Sequence, residues 1–239
     1  MKEKYNKITA NHYSAYRPPL HEMILKKGIP IDEKFENGLD IGCGTGISTI
    51  VLAKYCSHIY GIEPSEAMLK KANSHEKVTY LLGSGNSIPL PNNKIDIVTF
   101  AGSLFYAKSS ILIKELQRVC RDKSSIIIYD FMTLLDNVLD HFNIKKKEIS
   151  SNYDYEINFD DNPNFKKIIS NKEQINLTIN ANNLAHIILG DSIIYELFVE
   201  KFNVVDPFTI LVKNLEDVNK QWVLKVNTYY SVYQLNLLL

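Results

Sequence analysis

The pattern of apolar and polar positions predicts alternating strands and helices over residues 38–131. Short apolar runs that suit buried parallel strands occupy 38–42, 58–63, 78–82, 95–101 and 125–131. Apolar residues at helical spacing fall between these runs, at 47–55, 66–74 and 110–120. Five strands that alternate with helices predict a doubly wound parallel sheet of the α/β class.

The pattern is different on either side of this region. Residues 5–28 form a partly helical arm, which Pro18 and Pro19 interrupt. After residue 131 we predict helices at 133–141, 183–189, 192–202 and 207–218, a polar loop or hairpin at 150–165, a strand at 174–179, and one or two strands at 222–238 that close the sheet.

These segments predict one domain with a lid inserted before its last strands. Its expected parts are an N-terminal cap arm (1–30), a core (31–132), a lid insertion (133–205) and a C-terminal helix with the closing strands (206–239).

The first strand runs into a glycine-rich turn, and the second strand ends in an acid. Gly42, Gly44 and Gly46 have no Cβ, so the backbone can turn sharply and approach a ligand closely. The helix that follows points its free N–H groups at the turn, where they suit a carboxylate or phosphate. Glu63 lies 21 positions after Gly42 and can accept hydrogen bonds from both hydroxyls of a ribose, as acids about 20 residues after such a turn do. The pair predicts a site for an adenosine-containing cofactor.

The spacing of the glycines bears on which cofactor is bound. Nicotinamide and flavin sites favour G-x-G-x-x-G, and here Ile47 occupies the sixth place. The string D-I-G-C-G-T-G, which begins at Asp40, resembles motif I of the class I S-adenosylmethionine-dependent methyltransferases, and Glu63-Pro64-Ser65 follows at the matching distance. The resemblance, to the small-molecule (type 11/25-like) branch, implies a Rossmann-like seven-stranded sheet and S-adenosylmethionine as the cofactor. A purely structural tight turn is the alternative for the glycine string alone.

The N-terminal arm adds to the resemblance. Residues 5–18, YNKITANHYSAYRP, are similar to the family's F-x-x-x-A-x-x-Y-x-x-x-R-P arm, with Tyr13 and Arg17 at the matching positions. The resemblance implies that the arm folds over the cofactor, that Arg17 pairs with the methionine carboxylate and that Tyr13 helps to cover the site. An arm that is simply docked by its aromatic residues is the alternative.

Two further segments resemble the family, the first with departures. In residues 83–90, GSGNSIPL, Ser84 and Asn86 stand where G-D-A-E-x-L-P-F has acids. A hydroxyl is a weaker acceptor than a carboxylate, so we expect weaker cofactor binding, although Gly85 can still offer its N–H to adenine. In Lys94–Tyr106 the resemblance places 101–103 beside the cofactor and 105–106 beside the substrate. The implied cofactor-binding residues are Tyr13, Arg17, Asp40, Gly42, Cys43, Gly44, Glu63, Pro64, Met68, Ser84, Gly85, Asn86, Ala101 and Ser103.

Methyl transfer needs a general base only when the nucleophile must lose a proton. The candidate catalytic residues are Asp130, His12 and Tyr106, with His141 and His186 as further candidates from the lid. Asp130 is favoured because it closes the fifth strand at the carboxyl edge, where ligands bind in such sheets. The alternative for His12 is a residue that caps the arm, and histidines on lid helices such as His141 and His186 are more often packed or exposed than catalytic.

Composition narrows the partners. The 27 basic and 27 acidic residues balance, and N-P-P-Y and D-P-P-Y are absent, which argues against a nucleic-acid substrate. No apolar stretch reaches 18 residues, so we expect no membrane span. The three cysteines form no C-x-x-C, which favours a cytoplasmic protein, and Cys43 is interpreted as a small residue that fits the turn. No cluster has metal-ligand spacing, so no metal is expected.

The sequence therefore predicts a methyltransferase that acts on a small, aromatic or amphipathic metabolite. Two alternatives remain open. One is a catalytically weak or inactive methyltransferase-like scaffold protein, which the changes at Ser84 and Asn86 would mark. The other is a nicotinamide-dependent reductase, which Ile47 disfavours. The sequence does not fix the oligomeric state.

Overall fold

The computed structural model describes residues 7–145 and 152–237, and of residues 7, 10, 13 and 14 it describes the backbone only. The helices are α1 (Lys7–Ala15), α2 (Leu20–Gly28), α3 (Ile47–Leu52), α4 (Glu66–Leu69), α5 (Leu104–Ala107), α6 (Ser110–Val119), α7 (Asp136–His141), α8 (Ala181–Leu189), α9 (Ser192–Phe202) and α10 (Phe208–Val218). The strands are β1 (Phe35–Ile41), β2 (Cys56–Glu63), β3 (Val78–Leu82), β4 (Ile95–Ala101), β5 (Cys120–Leu134), β6 (Phe165–Asn180) and β7 (Gln221–Leu235).

The seven strands form one sheet in the order β3-β2-β1-β4-β5-β7-β6. The first five strands are parallel, with β1 between β2 and β4. Because the order reverses at β1, the carboxyl ends of β1 and β4 flank the switch point where doubly wound sheets bind ligands. The predicted α/β fold class is confirmed.

The described residues divide into two compact units. The first, called here the sheet unit, contains 19–131, 152–173 and 228–237. The second, called here the helical unit, contains 7–18, 132–145 and 174–227. The expected partition into cap arm, core, lid and closing segment stays a prediction.

The core of the sheet unit lies on the central strands. Leu39, Ile62, Val98 and Ile126 are fully buried members of one apolar cluster, as expected for parallel strands covered on both faces. Neighbouring strands also constrain β1 at Gly38, where an added Cβ would lie 2.8 Å from the Cys56 sulfur.

Helix α6 illustrates how sequence sets an element in this unit. The Ser109 hydroxyl accepts a hydrogen bond from the Leu112 N–H at 3.0 Å and caps the helix. Leu112, Leu116 and Val119 then recur on one face and are fully buried. The cap and the apolar stripe together explain the predicted helix at 110–120.

The helical unit is built mainly on α8. Helix α8 packs against α1 and α10, and its apolar face includes Leu184, Ile188 and Leu189, all fully buried. The Asn180 side chain caps its first turn by accepting from the Asn183 N–H at 2.8 Å. Across residues 7–145 and 152–237, no helix is long and apolar enough to cross a membrane.

Several predicted elements have different bounds in the structure, and α4 and β6 illustrate the reasons. The helix predicted at 66–74 ends at Leu69, since the Asn73 N–H bonds to the Thr45 carbonyl and so leaves the helical pattern. The strand predicted at 174–179 is the last part of the longer strand β6. The first half of β6 gave no signal because it is largely exposed and lacks a buried alternate face.

Candidate cofactor site

The turn after β1 requires glycine at three positions. Gly42, Gly44 and Gly46 have φ angles of 73°, 55° and 84°, which L-residues with a side chain rarely adopt. An added Cβ would lie 2.6 Å from the Ser103 Cβ at Gly42 and 1.9 Å from the Tyr80 hydroxyl oxygen at Gly46. The turn is therefore packed from two sides by protein atoms.

Gly44 is the open position of the turn. The nearest atom to an added Cβ there is the Met68 Cε at 3.6 Å, which is ordinary contact. A ligand can approach the backbone closely at such a point. That this open cradle holds the aminobutyrate end of S-adenosylmethionine stays a prediction.

Asp40 anchors the turn from within the protein. Its carboxylate is 0 % exposed and accepts hydrogen bonds from the hydroxyls of Ser48 (2.7 Å), Thr49 (2.7 Å) and Thr99 (2.8 Å). Burial raises its pKa, and the three hydroxyl bonds act in the opposite direction. Because α3 and β4 supply these donors, Asp40 fixes the positions of both elements at the turn. That it lines the cofactor stays a prediction.

Glu63, half-buried, lies against the same turn. Its Oε2 accepts from the Gly44 N–H at 3.1 Å, and its Oε1 accepts from the Ser65 N–H at 3.0 Å. A carboxylate has about four acceptor positions, so two backbone bonds leave it able to accept from a diol. Pro64 follows it directly and leads to Ser65, which caps the helix that carries Met68.

Cys43 does not have the environment of a nucleophile. It is buried, and burial, followed by the charges of Asp40 and Glu63, raises the pKa of its thiol to about 12. The side chain is therefore a neutral thiol, in agreement with its interpretation as a small residue that fits the turn.

The loop predicted to contact adenine is fixed through its backbone. Ser84 and Ser87 exchange two main-chain hydrogen bonds, of 3.3 and 3.0 Å. The Asn86 side-chain oxygen accepts from the Ser109 hydroxyl at 2.6 Å. At Gly85 an added Cβ would lie 2.9 Å from the Leu112 side chain. The loop therefore packs on the start of α6, and one of its two unusual side chains already contacts that helix.

An ion pair on α6 holds the rest of this loop. The Arg118 guanidinium donates to the carbonyls of Ile88 (2.8 Å) and Leu90 (2.7 Å). Glu115 accepts from the Ile88 N–H at 2.7 Å and pairs with Arg118. The sequence alone assigned no role to either residue. The structure assigns them the positioning of the loop.

The segment after β4 joins the ends of three strands. Gly102 has a φ of 70°, and its N–H donates to the Tyr129 carbonyl of β5 at 2.8 Å. The neighbouring Ser103 hydroxyl donates to the Ile41 carbonyl at the end of β1. Ala101 and Ser103 therefore lie at the switch point of the sheet, next to the glycine turn.

Asp130 lies in β5 beside this segment. Its Oδ1 accepts from the Phe131 N–H at 2.7 Å, and its Oδ2 accepts from the Tyr153 hydroxyl. Burial is the largest influence on its pKa and raises it. Tyr153 also contacts the rings of Phe105 and Tyr106. The structure therefore brings the candidates Asp130 and Tyr106 together through Tyr153, which the sequence did not indicate.

The other candidates lie in the helical unit. The Nδ1 atoms of His12 and His186 are 3.0 Å apart, and burial lowers the pKa of both. His141 packs against Trp222. Arg17 is half-buried, and the side chain of Tyr13 lies outside the described residues. Their roles toward a cofactor or an acceptor stay predictions.

Comparison with known proteins agrees with this geometry. Residues 39–128 match the family model described as "Methyltransferase domain". A Dictyostelium discoideum protein, provisionally named a methyltransferase, is 29% identical over 130 residues, which are 54% of this chain and 49% of its own length. Demethylmenaquinone methyltransferase of Corynebacterium kroppenstedtii is 29% identical over 99 residues, 41% of this chain and 43% of its own. The chain thus spans about half the length, or less, of these relatives.

A solved structure extends the similarity of fold beyond the matched segment. It is a protein of Anaeromyxobacter dehalogenans, provisionally named a type II methyltransferase, with a TM-score of 0.65 and 18% identity. The match covers 93% of this chain and 99% of that one. Residues 39–128, which contain the glycine turn and Glu63, match a methyltransferase domain, and the chain shares the fold of this methyltransferase over 93% of its length.

Proposed function

We propose that the protein is a methyltransferase that transfers a methyl group from S-adenosylmethionine to a small aromatic or amphipathic metabolite in the cytoplasm. One observation carries this proposal. Glu63 is held against the open position of the glycine turn, through its bond to the Gly44 N–H. A cradle without a side chain suits the aminobutyrate part of S-adenosylmethionine, and a half-buried carboxylate suits the hydroxyls of its ribose.

S-adenosylmethionine supplies an electrophilic methyl group on a positively charged sulfur. The task of the protein is to hold the cofactor and to place the nucleophile in line with that methyl group. Such positioning can contribute roughly 7–11 kcal/mol to lowering the barrier. In this proposal Gly44 and Glu63 hold the cofactor, Gly85 offers its N–H to adenine, and Phe105 and Tyr106 contact the acceptor.

Calorimetry with S-adenosylhomocysteine tests the proposal directly. Glu63→Gln removes the charge and keeps an acceptor oxygen, so we expect the Kd to rise about tenfold, the value of one weakened charge-assisted hydrogen bond. Glu66→Gln is the matched control, because Glu66 is exposed on α4 and pairs with Lys70. Folded wild-type protein that shows no binding at millimolar ligand would rule the proposal out.

A scaffold protein is the second candidate, and the loop at 84–87 favours it. Neither acid of the family's loop is present, and the Asn86 oxygen is already bonded to Ser109. A labelled-methyl assay with a metabolite extract separates the two candidates. Binding of S-adenosylhomocysteine without any methyl incorporation favours the scaffold.

A further inference from the structure

Tyr153 contacts the carboxyl ends of two strands in the sheet unit. Its hydroxyl donates to Asp130 Oδ2 and lies 3.1 Å from the Gly102 carbonyl oxygen. The Asp130 carboxylate also borders Gly102, since a Cβ added at this glycine would lie 3.2 Å from Asp130 Oδ1. The Tyr153 hydroxyl thus holds the Asp130 side chain in one rotamer, beside the segment that joins β4 to α5.

An aromatic patch surrounds this carboxylate. The Tyr153 ring packs against Phe105 with centroids 4.9 Å apart and against Tyr106 with centroids 5.7 Å apart. Tyr106 is 78 % exposed, although aromatic rings of this size are normally well covered. The patch therefore offers an accessible aromatic surface next to a half-buried acid.

We propose that the methyl acceptor is a phenol whose ring packs on Phe105 and Tyr106. Asp130 is then the catalytic residue that takes the O–H proton of this phenol. Tyr153 is the positioning residue that holds Asp130. This inference rests on the proposed function and names its acceptor class. A neutral phenol is a poor nucleophile until its O–H proton is removed, which is the situation that requires a positioned base.

The proton and electron balance of the step is simple. The phenol oxygen forms a bond to the methyl carbon while the C–S bond breaks and its electron pair stays on sulfur. The O–H proton passes to the Asp130 carboxylate, which later releases it to solvent. The products are an aryl methyl ether and S-adenosylhomocysteine, and no other reactant is needed.

Burial favours proton uptake by Asp130, whereas the hydrogen bonds that the Tyr153 hydroxyl and the Phe131 N–H donate to it act in the opposite direction. Asp130 acts electrostatically on its chain neighbour Tyr129, and Tyr106 and Asp154 act electrostatically on Tyr153. None of these neighbours, among the residues that the structure describes, is a lysine, an arginine or a histidine. The buried setting raises the pKa of Asp130 and makes it a stronger base than an exposed aspartate.

The test uses 2-naphthol as the acceptor probe, with three single variants. Asp130→Asn removes the base, and Tyr153→Phe removes the hydroxyl that donates a hydrogen bond to Asp130. Tyr155→Phe is the control. Tyr155 lines a small cavity near the strand ends together with Asp130 and Tyr153, but it has no hydrogen bond to Asp130 among the described contacts. Initial rates of labelled-methyl transfer are measured between pH 6 and 9, and the Kd for S-adenosylhomocysteine is measured for each protein.

We expect Asp130→Asn to lower kcat about 100-fold or more, within the range for loss of a general base, and to make the rate rise with pH as naphtholate forms. Tyr153→Phe should lower kcat by about tenfold with a similar KM for 2-naphthol. In each variant the Kd for S-adenosylhomocysteine should stay within twofold of the wild type. A measurement without turnover accompanies these: carbon NMR of labelled aspartate should show a higher pKa for Asp130 in Tyr153→Phe, because a donor to the carboxylate is lost.

Several results would overturn the inference. They are an unchanged rate in Asp130→Asn, an unchanged Asp130 pKa in Tyr153→Phe, and S-adenosylhomocysteine binding without any transfer to 2-naphthol. The last result leaves the proposed function standing. Failure of the wild type to bind S-adenosylhomocysteine would instead remove the proposed function, and this inference with it.

Discussion

Each unit of the molecule contains a buried polar cluster, and the two clusters are organised differently. In the sheet unit, the Asp40 carboxylate accepts from three hydroxyls, on Ser48, Thr49 and Thr99. In the helical unit, His12 lies among aromatic rings, and its Nδ1 is hydrogen-bonded to His186. Its other ring nitrogen, Nε2, is buried without a hydrogen-bond partner among the described residues.

The two clusters differ in how completely their polar atoms are hydrogen-bonded. Three donors from two elements fix the Asp40 carboxylate in a single geometry, and a satisfied buried network of this kind rigidifies its surroundings. The histidine pair has one bond, which either ring can donate, and an unpartnered nitrogen in an apolar setting costs stability. The first cluster therefore specifies a rigid turn, whereas the second leaves the helical unit sensitive to protonation.

The largest expected effect comes from breaking the saturated cluster. Asp40→Ala leaves three buried hydroxyls without their acceptor, so we expect the free energy of unfolding to fall by about 3 kcal/mol. Chemical denaturation followed by far-UV circular dichroism measures it. Thr99→Val removes one donor only and should cost about 1 kcal/mol. Equal losses in the two variants would show that the network does not act as a saturated unit.

The histidine pair gives the comparison a pH test. Burial lowers the pKa of His12 and His186, while Asp206 raises that of His12 to a lesser extent. Below the ordinary histidine pKa of about 6.5, these two histidines therefore bind protons more readily in the unfolded state than in the folded state. The stability that the neutral pair contributes is present above that pH and is lost as pH falls below it, with a slope of at most about 1.4 kcal/mol per pH unit for each histidine.

The single tryptophan makes this measurable, since Trp222 belongs to the helical unit. We expect its fluorescence to report a lower denaturation midpoint at pH 5.5 than at pH 7.5. His12→Phe should flatten this dependence, because an apolar ring replaces a titrating one beside Phe208. A pH dependence that survives in His12→Phe and His186→Phe would assign the effect to other groups.

The glycine turn was predictable from the sequence because its conformational requirements are local. Positive φ angles at Gly42, Gly44 and Gly46 favour glycine whatever the rest of the fold does. The distance from the turn to Glu63 is set by one helix and one strand, so it appears as a fixed spacing in the sequence. The parallel strands were equally visible, because burial on both faces leaves continuous apolar runs.

The contacts that the sequence did not show join residues without any periodic relation. His12 and His186 are separated by 174 positions. Tyr153 lies in a polar, turn-rich segment, and only the folded chain brings it to Asp130. The partners of Asp40 were missed for a different reason, since hydroxyl side chains are common in helices and strands and signal no network by themselves.

The smallest expected effect concerns the loop at 84–87 in the sheet unit, where the backbone is fixed but the side chains can be replaced. The main-chain bonds between Ser84 and Ser87 hold the loop in place, so Ser84→Asp should add a charged acceptor without moving it. A charge-assisted hydrogen bond is about twice as strong as a neutral one, and we expect the Kd for S-adenosylhomocysteine to fall about three- to tenfold in calorimetry. Ser87→Asp places the same charge on the same loop and should leave the Kd nearly unchanged. Equal tightening in both variants would attribute the gain to net charge, and weaker binding in Ser84→Asp would show that this position does not face the adenine amino group.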